Sequence, residues 1–439
     1  MRKIKADFMK YVSLNVVGMI GLSCYILADT FFVAQALGTA GLASLNLSIS
    51  IFSVIQGFGL MIGIGGATDF SISKQQSPDY NRSVSFAHSL LIGALVSLLF
   101  IAIAMFLTTP LAVILGADEV TLPLTKTYLK TILYFSPFFI LNHIVIAFVR
   151  NDKNPRLSMI AMLASSFSNI FLDYIFMFPF SMGIFGAAFA TGLSPIISLC
   201  ILSAHFKGNK QGFRIGRCKI EFSKALRILS LGFSSFIGEL ASAISLITFN
   251  IIIMKIAGNT GVAAYGIVAN IALIATAILV GIAQGIQPLA SKYYGKGEHK
   301  TVGLVLRYAI ITALAASALM YVLLYAFSAP IVSIFNSEGN QQLAVLATNG
   351  IKIYFVGYLF AAVNIVSAAF LSAISSAKQA MLIAVLRSCL LLVPAVYILS
   401  ILFQINGIWI SFVVTELLVC IIAVFSVYRL KAGALEIST

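Results

Sequence analysis

The stretch FAHSLLIGALVSLLFIAIAMFL, residues 86–107, holds 22 residues without a formal charge. An apolar block of this length matches the hydrocarbon thickness of a bilayer, which a helix crosses in about 20 residues. Such blocks recur along the whole chain, at roughly 11–36, 42–70, 86–107, 127–148, 157–179, 184–206, 228–256, 262–290, 305–327, 350–372, 380–403 and 406–429. In lipid every backbone N–H and C=O must be bonded within its own segment, so each block is expected to be a helix. The expected fold is therefore an all-α polytopic membrane protein with twelve transmembrane helices. Composition agrees, with 60% hydrophobic and 10% charged residues, against about 25% charged in soluble domains.

The net charge of +14 raises the question of nucleic acid, and its distribution excludes it. With the N-terminus inside, 24 Lys and Arg fall on inner segments and four on outer ones: Lys126, Lys130, Lys255 and Lys352. That asymmetry orients membrane helices and predicts both termini in the cytoplasm of an integral plasma (inner) membrane protein. The first apolar block is too long for a cleavable signal and lacks a small-x-small site. The cysteines, Cys24, Cys200, Cys218, Cys389 and Cys420, are odd in number and sit in or beside spans, so they read as small apolar fillers.

One long, charged connection, at about 207–227, divides the blocks six and six. The halves resemble each other. GTAGLAS at 38–44 returns as GNTGVAA at 258–264, and Ser71 falls on Ser291 at the same shift of 220. MGIFGAAFAT at 182–191 returns as NGIWISFVVT at 406–415, a shift of 224. An even number of spans per copy inserts both in the same orientation. This predicts two six-helix bundles, 1–206 and 228–439, related by a pseudo-two-fold axis along the membrane normal. Repeat-matched glycines (Gly63, Gly65, Gly281, Gly285) mark close helix approach or bending on a path between them. No G-x-x-x-x-G-K-[ST], HExxH or GxSxG motif occurs, which argues against an ATP engine and a hydrolase. The chain is not expected to be an enzyme. An ion gradient would drive a machine of this shape, and no cofactor is called for.

Residues 169–178, NIFLDYIFMF, hold Asp173, the one charge between Leu157 and Met182. A carboxylate at mid-membrane costs roughly 2.5–3.5 kcal/mol on insertion scales and is normally functional or paired. Asp29, Asp173, Glu239 and Glu416 all lie inside spans, whereas Asp69 is near an inner helix end and within reach of the interface. Asp29 and Asp173 lie seven and six residues from the outer ends of their blocks, roughly 10 Å deep at 1.5 Å per residue. Asn169 precedes Asp173 by one turn and shares its face. Thr191 enters from the outer side to the same depth. Two carboxylates, an amide and a hydroxyl suit a hard monovalent cation or a proton, although Asn169 or Thr191 alone would read as helix–helix glue. The repeat places Phe249 and Ala395 where the first half has Asp29 and Asp173, so the expected ion site belongs to the N-terminal bundle.

At this point the chain resembles a known family. ADTFFVAQALGTAGLAS (28–44), GIGGATDFSISK (63–74), VRNDKNPRLSM (149–159), NIFLD (169–173), GIFGAAFAT (183–191) and IAQGIQP (282–288) look like the multidrug and toxin extrusion (MATE) transporters, in order and spacing over nearly the whole chain. The resemblance implies antiport of organic, often cationic and amphipathic, compounds against Na⁺ or H⁺. It implies cation ligands at Asp29, Asn169, Asp173 and Thr191, these being the metal ligands if the ion is Na⁺, with the backbone carbonyl of Ala187 one turn before the threonine. Departures are SLN at 13–15 and LGFSSF at 231–236, where a proline is common, and a tenth block (350–372) without Asp or Glu.

Glu239, Gln284, Arg387 and Glu416 are candidates for substrate contact or coupling. Glu239 reads either as a counter-charge to substrate or as a paired structural acid. Arg387 pairs with Glu416 or Glu239, or snorkels inward. His143 reads as a hydrogen-bonded core residue. A lipid-linked saccharide flippase of the same broad superfamily is the alternative function, disfavoured because only Arg387 is clearly intramembrane. A receptor or intramembrane enzyme is disfavoured by the repeat. Expected partners are a small organic substrate and the bilayer, with no nucleic acid, and a monomeric chain.

Overall fold

The computed structural model describes residues 2–76, 83–207, 212, 213, 219, 221–336 and 340–436. Cys218 and much of the 207–227 connection lie outside the described residues. Among the described residues the chain is helical with no strand: α1 (Arg2–Gln76), α2 (Val84–Phe106), α3 (Thr108–Ile114), α4 (Leu122–Asn151), α5 (Pro155–Met177), α6 (Gly183–Leu202), α7 (Phe222–Gly295), α8 (His299–Ala326), α9 (Ser328–Phe335), α10 (Gln341–Tyr354), α11 (Gly357–Ala373), α12 (Ala377–Val385) and α13 (Leu392–Glu436).

Among the described residues nine helices are long and apolar enough to cross a membrane, and ten if α10 and α11, bent by 47°, form one span. Two of these, Phe222–Gly295 and Ala377–Arg429, are each interrupted by one non-helical residue, Gly258 and Gln404. Counting each as two spans gives the expected twelve.

Interruptions also carry the internal repeat into the backbone. Gly38 (φ 60°, ψ −150°) and Gly258 (φ 58°, ψ −154°) break α1 and α7 in the same conformation. That region of φ/ψ space is essentially reserved for glycine, which explains why the G-x-x-G motif recurs at a shift of 220. Lys153 (φ 69°) and Ser375 (φ 63°), 222 apart, hold matching left-handed turns.

Two compact units emerge. One comprises Val17–Leu240; the other comprises Met1–Val16 with Ala241–Thr439. Each has its own buried cluster, with Phe70, Phe86 and Phe148 in the first and Phe249, Tyr354 and Trp409 in the second. Lipid offers side chains as apolar a setting as a neighbouring helix does, so spans associate through tight packing of small residues. In the first unit a Cβ on Gly65 would strike the backbone of Ile228 and Gly232, and one on Gly63 the backbone of His143. In the second, Gly281 and Gly285 abut the backbones of Val16 and Val12. Gly65 thus seats the start of α7, and Gly63 seats α4, on the part of α1 after Gly38, and Gly281 and Gly285 seat the start of α1 on the part of α7 after Gly258, each contact within one unit.

Asp69 differs from its expected place at an interface. It is fully buried. Its carboxylate binds Lys224 Nζ at 2.7 Å and Arg227 Nε at 3.2 Å, and it accepts from Ser85 Oγ. The basic first turns of α7 supply the counter-charges that an isolated reading of α1 does not reveal.

Candidate functional site

The site forms where α1, α4, α5 and α6 meet. GAAFATG (186–192) gives α6 a buried small-residue face, on which Gly186 contacts Phe176 of α5 and Gly192 the Phe135 ring of α4. That close approach brings polar side chains of different helices together away from lipid. Asp29, Asn169, Asp173 and Thr191 are all buried, Asp173 completely.

Asn169 Nδ2 donates to Thr191 Oγ1 at 3.4 Å. Tyr128 of α4 is also buried and lies within electrostatic range of Asp29 and Asp173. The two carboxylates are within electrostatic range of each other. Asp29 Oδ1, Asn169 Oδ1 and both oxygens of Asp173 are buried without a hydrogen-bond partner. Buried polar oxygens ordinarily find donors, so these four unpartnered acceptors mark a candidate site for a small cation or for protons. Ala187 is fully buried one turn before Thr191 in a continuous helix. Its carbonyl keeps one lone pair beyond the helical ladder. Pro195 lies inside α6, four residues after Thr191. A proline has no N–H, so the Thr191 carbonyl loses its helical partner and is another acceptor. Among the described residues no group of three or more His, Cys, Asp or Glu is arranged for a metal ion; the donor set here mixes carboxylate, amide and hydroxyl.

Sequence reading missed the tyrosines. Tyr25 lies within range of Asp29, Glu239 and Asp173. Its spacing, one turn before Asp29, is a legible signal, whereas nothing in the sequence marks Tyr128. Glu239 is half-buried in the same unit and belongs to this electrostatic neighbourhood. Gln284 is half-buried on α7. Pro288 lies four residues further along the same helix. His143 is a hydrogen-bonded residue: its Nε2 donates to Gln56 Oε1 at 2.6 Å.

Of the partners open to Arg387, the structure selects Glu416. Arg387 Nε donates to Glu416 Oε1 at 2.7 Å, and Asn364 Nδ2 donates to Oε2 at 2.7 Å. This triad lies in the second unit. The cysteines among the described residues, Cys24, Cys200, Cys389 and Cys420, are free thiols.

A second polar centre lies outside the spans. Asp152, just past the end of α4, accepts from Lys74 Nζ (3.1 Å), His205 Nε2 (3.1 Å) and the Gly212 amide (2.5 Å). Burial raises the Asp152 carboxyl, but the His205 and Gly212 donors and the Lys74 charge outweigh it and hold the group below the usual carboxylate range. The next residue, Phe213, is fully buried. Its ring lies 4.7 Å from Phe86 and stacks at 5.5 Å on His205. The connection after α6 is therefore pinned at Gly212 and Phe213.

Comparison with known proteins bears on this arrangement. The MatE family model matches residues 16–175 and 235–398, one stretch in each half. The multidrug export protein MepA of Staphylococcus saprophyticus is 26% identical over 411 residues, covering 93% of this chain and 90% of its own. MepA of Staphylococcus aureus is 26% identical over 413 residues, again 93% and 90%. Among solved structures, a multidrug resistance MATE family transporter of the MOP superfamily, in an outward-facing conformation, superposes with a TM-score of 0.90 at 20% identity, covering 99% of this chain and 97% of its own. A MOP superfamily transporter from Pyrococcus furiosus superposes with a TM-score of 0.88 at 21% identity, with the same coverage. With two matched stretches that span most of its length and helices built to cross a bilayer many times, the chain belongs to the MatE family of multidrug and toxin extrusion transporters, membrane proteins and not enzymes.

Proposed function

We propose that this protein is a secondary active antiporter of the plasma (inner) membrane, with both termini cytoplasmic. It exports organic, cationic and amphipathic compounds in exchange for Na⁺ or H⁺. Asp29, Asn169, Asp173 and Thr191, with the Ala187 carbonyl, hold the coupling ion in the N-terminal six-helix lobe, 1–206. The second lobe is 228–439, and the basic connection at 207–227 joins the two. The observation that carries this reading is the group of buried, unpartnered oxygens on Asp29, Asn169 and Asp173. The names of the MepA relatives support the substrate class.

Mechanism follows from charge. Two ionised carboxylates without a counter-charge are costly away from water, so the pair takes up Na⁺ or protons before the transporter changes state. Asp29 lies on α1, which bends at Gly38. Ion entry biases α1 toward a conformation of weaker substrate affinity, and ion entry thereby drives substrate exit. Coupling is reciprocal: the substrate weakens ion binding by the same factor. Glu239 supplies negative charge beside Tyr25 for a cationic substrate.

The test is transport by purified protein in liposomes, with a fluorescent lipophilic cation as reporter and Na⁺ and pH gradients imposed separately. One gradient, or both, drives export in the wild type, and neither does in Asp173→Asn. Export that ignores both gradients would sink the antiport reading.

A further inference from the structure

The repeat aligns the two halves position by position. Thr191 corresponds to Thr415 at a shift of 224, which puts Glu416 opposite Gly192. Asn364 corresponds to Asn142, and Arg387 to Ser165, at a shift of 222. The second half thus gains a carboxylate and a guanidinium together, both at positions where the first half has small residues.

Their geometry differs from that of the first unit in one respect. Asp173 keeps two unpartnered oxygens. Glu416 is equally buried, but both its oxygens are occupied, Oε1 by Arg387 Nε and Oε2 by Asn364 Nδ2, each at 2.7 Å. Asn364 Nδ2 also donates to the Glu416 backbone carbonyl at 2.8 Å, which fixes the amide with Oδ1 pointing elsewhere. That Oδ1 is buried and has no hydrogen-bond partner. Arg387 sits in a π-helical turn, Leu386–Leu390, closed by the Leu391 amide donating to Leu386 O at 3.0 Å. A π-turn inserts one residue into the helical register, commonly at functional sites, and here it lies at the residue that reaches Glu416. The side chain keeps partial exposure, 18% against 2% for Glu416.

We propose that Arg387 is a tethered cation. It occupies the buried carboxylate site of Glu416, whose other oxygen the Asn364 amide holds, so the second unit takes up no exchangeable ion; without the guanidinium the site would accept a monovalent alkali cation or a proton. The chemistry is that of a hard oxygen donor, the Glu416 carboxylate, held in place by the Asn364 amide N–H, and such donors favour hard cations. A covalently attached charge neutralises Glu416 in every state of the transporter, whereas a dissolved ion would leave and return. The inference leans on the ion-site reading of Asp29 and Asp173 only for contrast, since it concerns a different set of residues.

The experiment measures cation binding to purified, detergent-solubilised full-length protein. Na⁺ is titrated calorimetrically at pH 8 into protein equilibrated in choline chloride, and proton uptake is followed in parallel with a pH dye. Arg387→Gln is expected to bind one more equivalent of Na⁺ or H⁺ than the wild type. Adding Glu416→Gln removes the extra equivalent, and Arg387→Lys, which keeps a tethered charge, never shows it. Should Arg387→Gln fail to fold, Arg387→His is purified at pH 6, where the imidazolium fills the role, and moved to pH 8.5, where the ring is neutral and the extra equivalent appears. No added binding in either variant overturns the proposal. So does a wild-type equivalent that Glu416→Gln abolishes. An equivalent that survives Asp173→Asn in the wild-type background would instead refute the N-terminal ion site, and the gain on removing Arg387 still decides this inference.

Discussion

Replacing Asp173 by Asn isolates the charge of the candidate ion site with almost no change in volume. Asp173 is fully buried and neither oxygen has a donor, so the substitution breaks no protein hydrogen bond. What it removes is the attraction between a carboxylate and a bound cation. At about 4 Å and an effective dielectric near 20 that attraction is roughly 4 kcal/mol, which is about a thousandfold in affinity at 1.4 kcal/mol per decade. The same change relieves the cost of placing an ionised group in the membrane, roughly 2.5–3.5 kcal/mol on insertion scales. Two readouts should therefore move in opposite directions. In the variant, gradient-driven efflux from liposomes falls to background and cation titration loses its high-affinity phase. Its thermal unfolding midpoint in cation-free detergent stays level or rises. A variant that transports at the wild-type rate would refute the reasoning, and so would one that loses transport together with thermal stability.

Asn169→Ala removes a neutral ligand and its hydrogen bond to Thr191; at about 1 kcal/mol ion affinity should fall several-fold in the same titration, with transport retained at high ion concentration. Gly38→Ala and Gly258→Ala place a side chain in a conformation reserved for glycine without any clash, so each should lower stability by about 1–3 kcal/mol, and nearly equally, in detergent denaturation. Asp152, faced by Lys74 and His205, has a depressed carboxyl. Its contribution is complete above the unfolded carboxylate value of about 3.9 and is lost as pH falls through the lower folded value. Limited proteolysis near Gly212 and Phe213 should accordingly be flat from pH 8 to about 5 and rise below about 4, and Asp152→Asn should raise it at neutral pH.

Much of this was legible because membrane helices declare themselves by length. The repeated G-x-x-G motif fixed two sharp turns, since only glycine tolerates their backbone. Asp29, Asn169, Asp173 and Thr191 could be grouped by depth alone, because depth along a span follows from residue count. Rotation about the helix axis and the identity of neighbours do not. Tyr128 of α4 comes within range of Asp29 and Asp173 through packing that no local pattern encodes. Asp69 looked peripheral because its counter-charges, Lys224 and Arg227, lie more than 150 residues away. Arg387, which pairs with Glu416, sits in a π-turn, and the LRSCL sequence carries no sign of one.

The exchanged helix ends have a consequence for biogenesis. The start of α7, at Ile228 and Gly232, meets Gly65 and Met61 of a helix already made, so the Val17–Leu240 unit can close as soon as its last residues leave the ribosome. The first residues of the chain have no such opportunity. Val12 and Val16 pack on Gly285 and Gly281, more than 260 residues downstream. At roughly 5–20 residues per second they wait on the order of ten to fifty seconds for their partner. The segment around Val12 and Val16 is thus synthesised long before the helix that seats it, and a truncation that removes it would act on the assembly of the later-made unit.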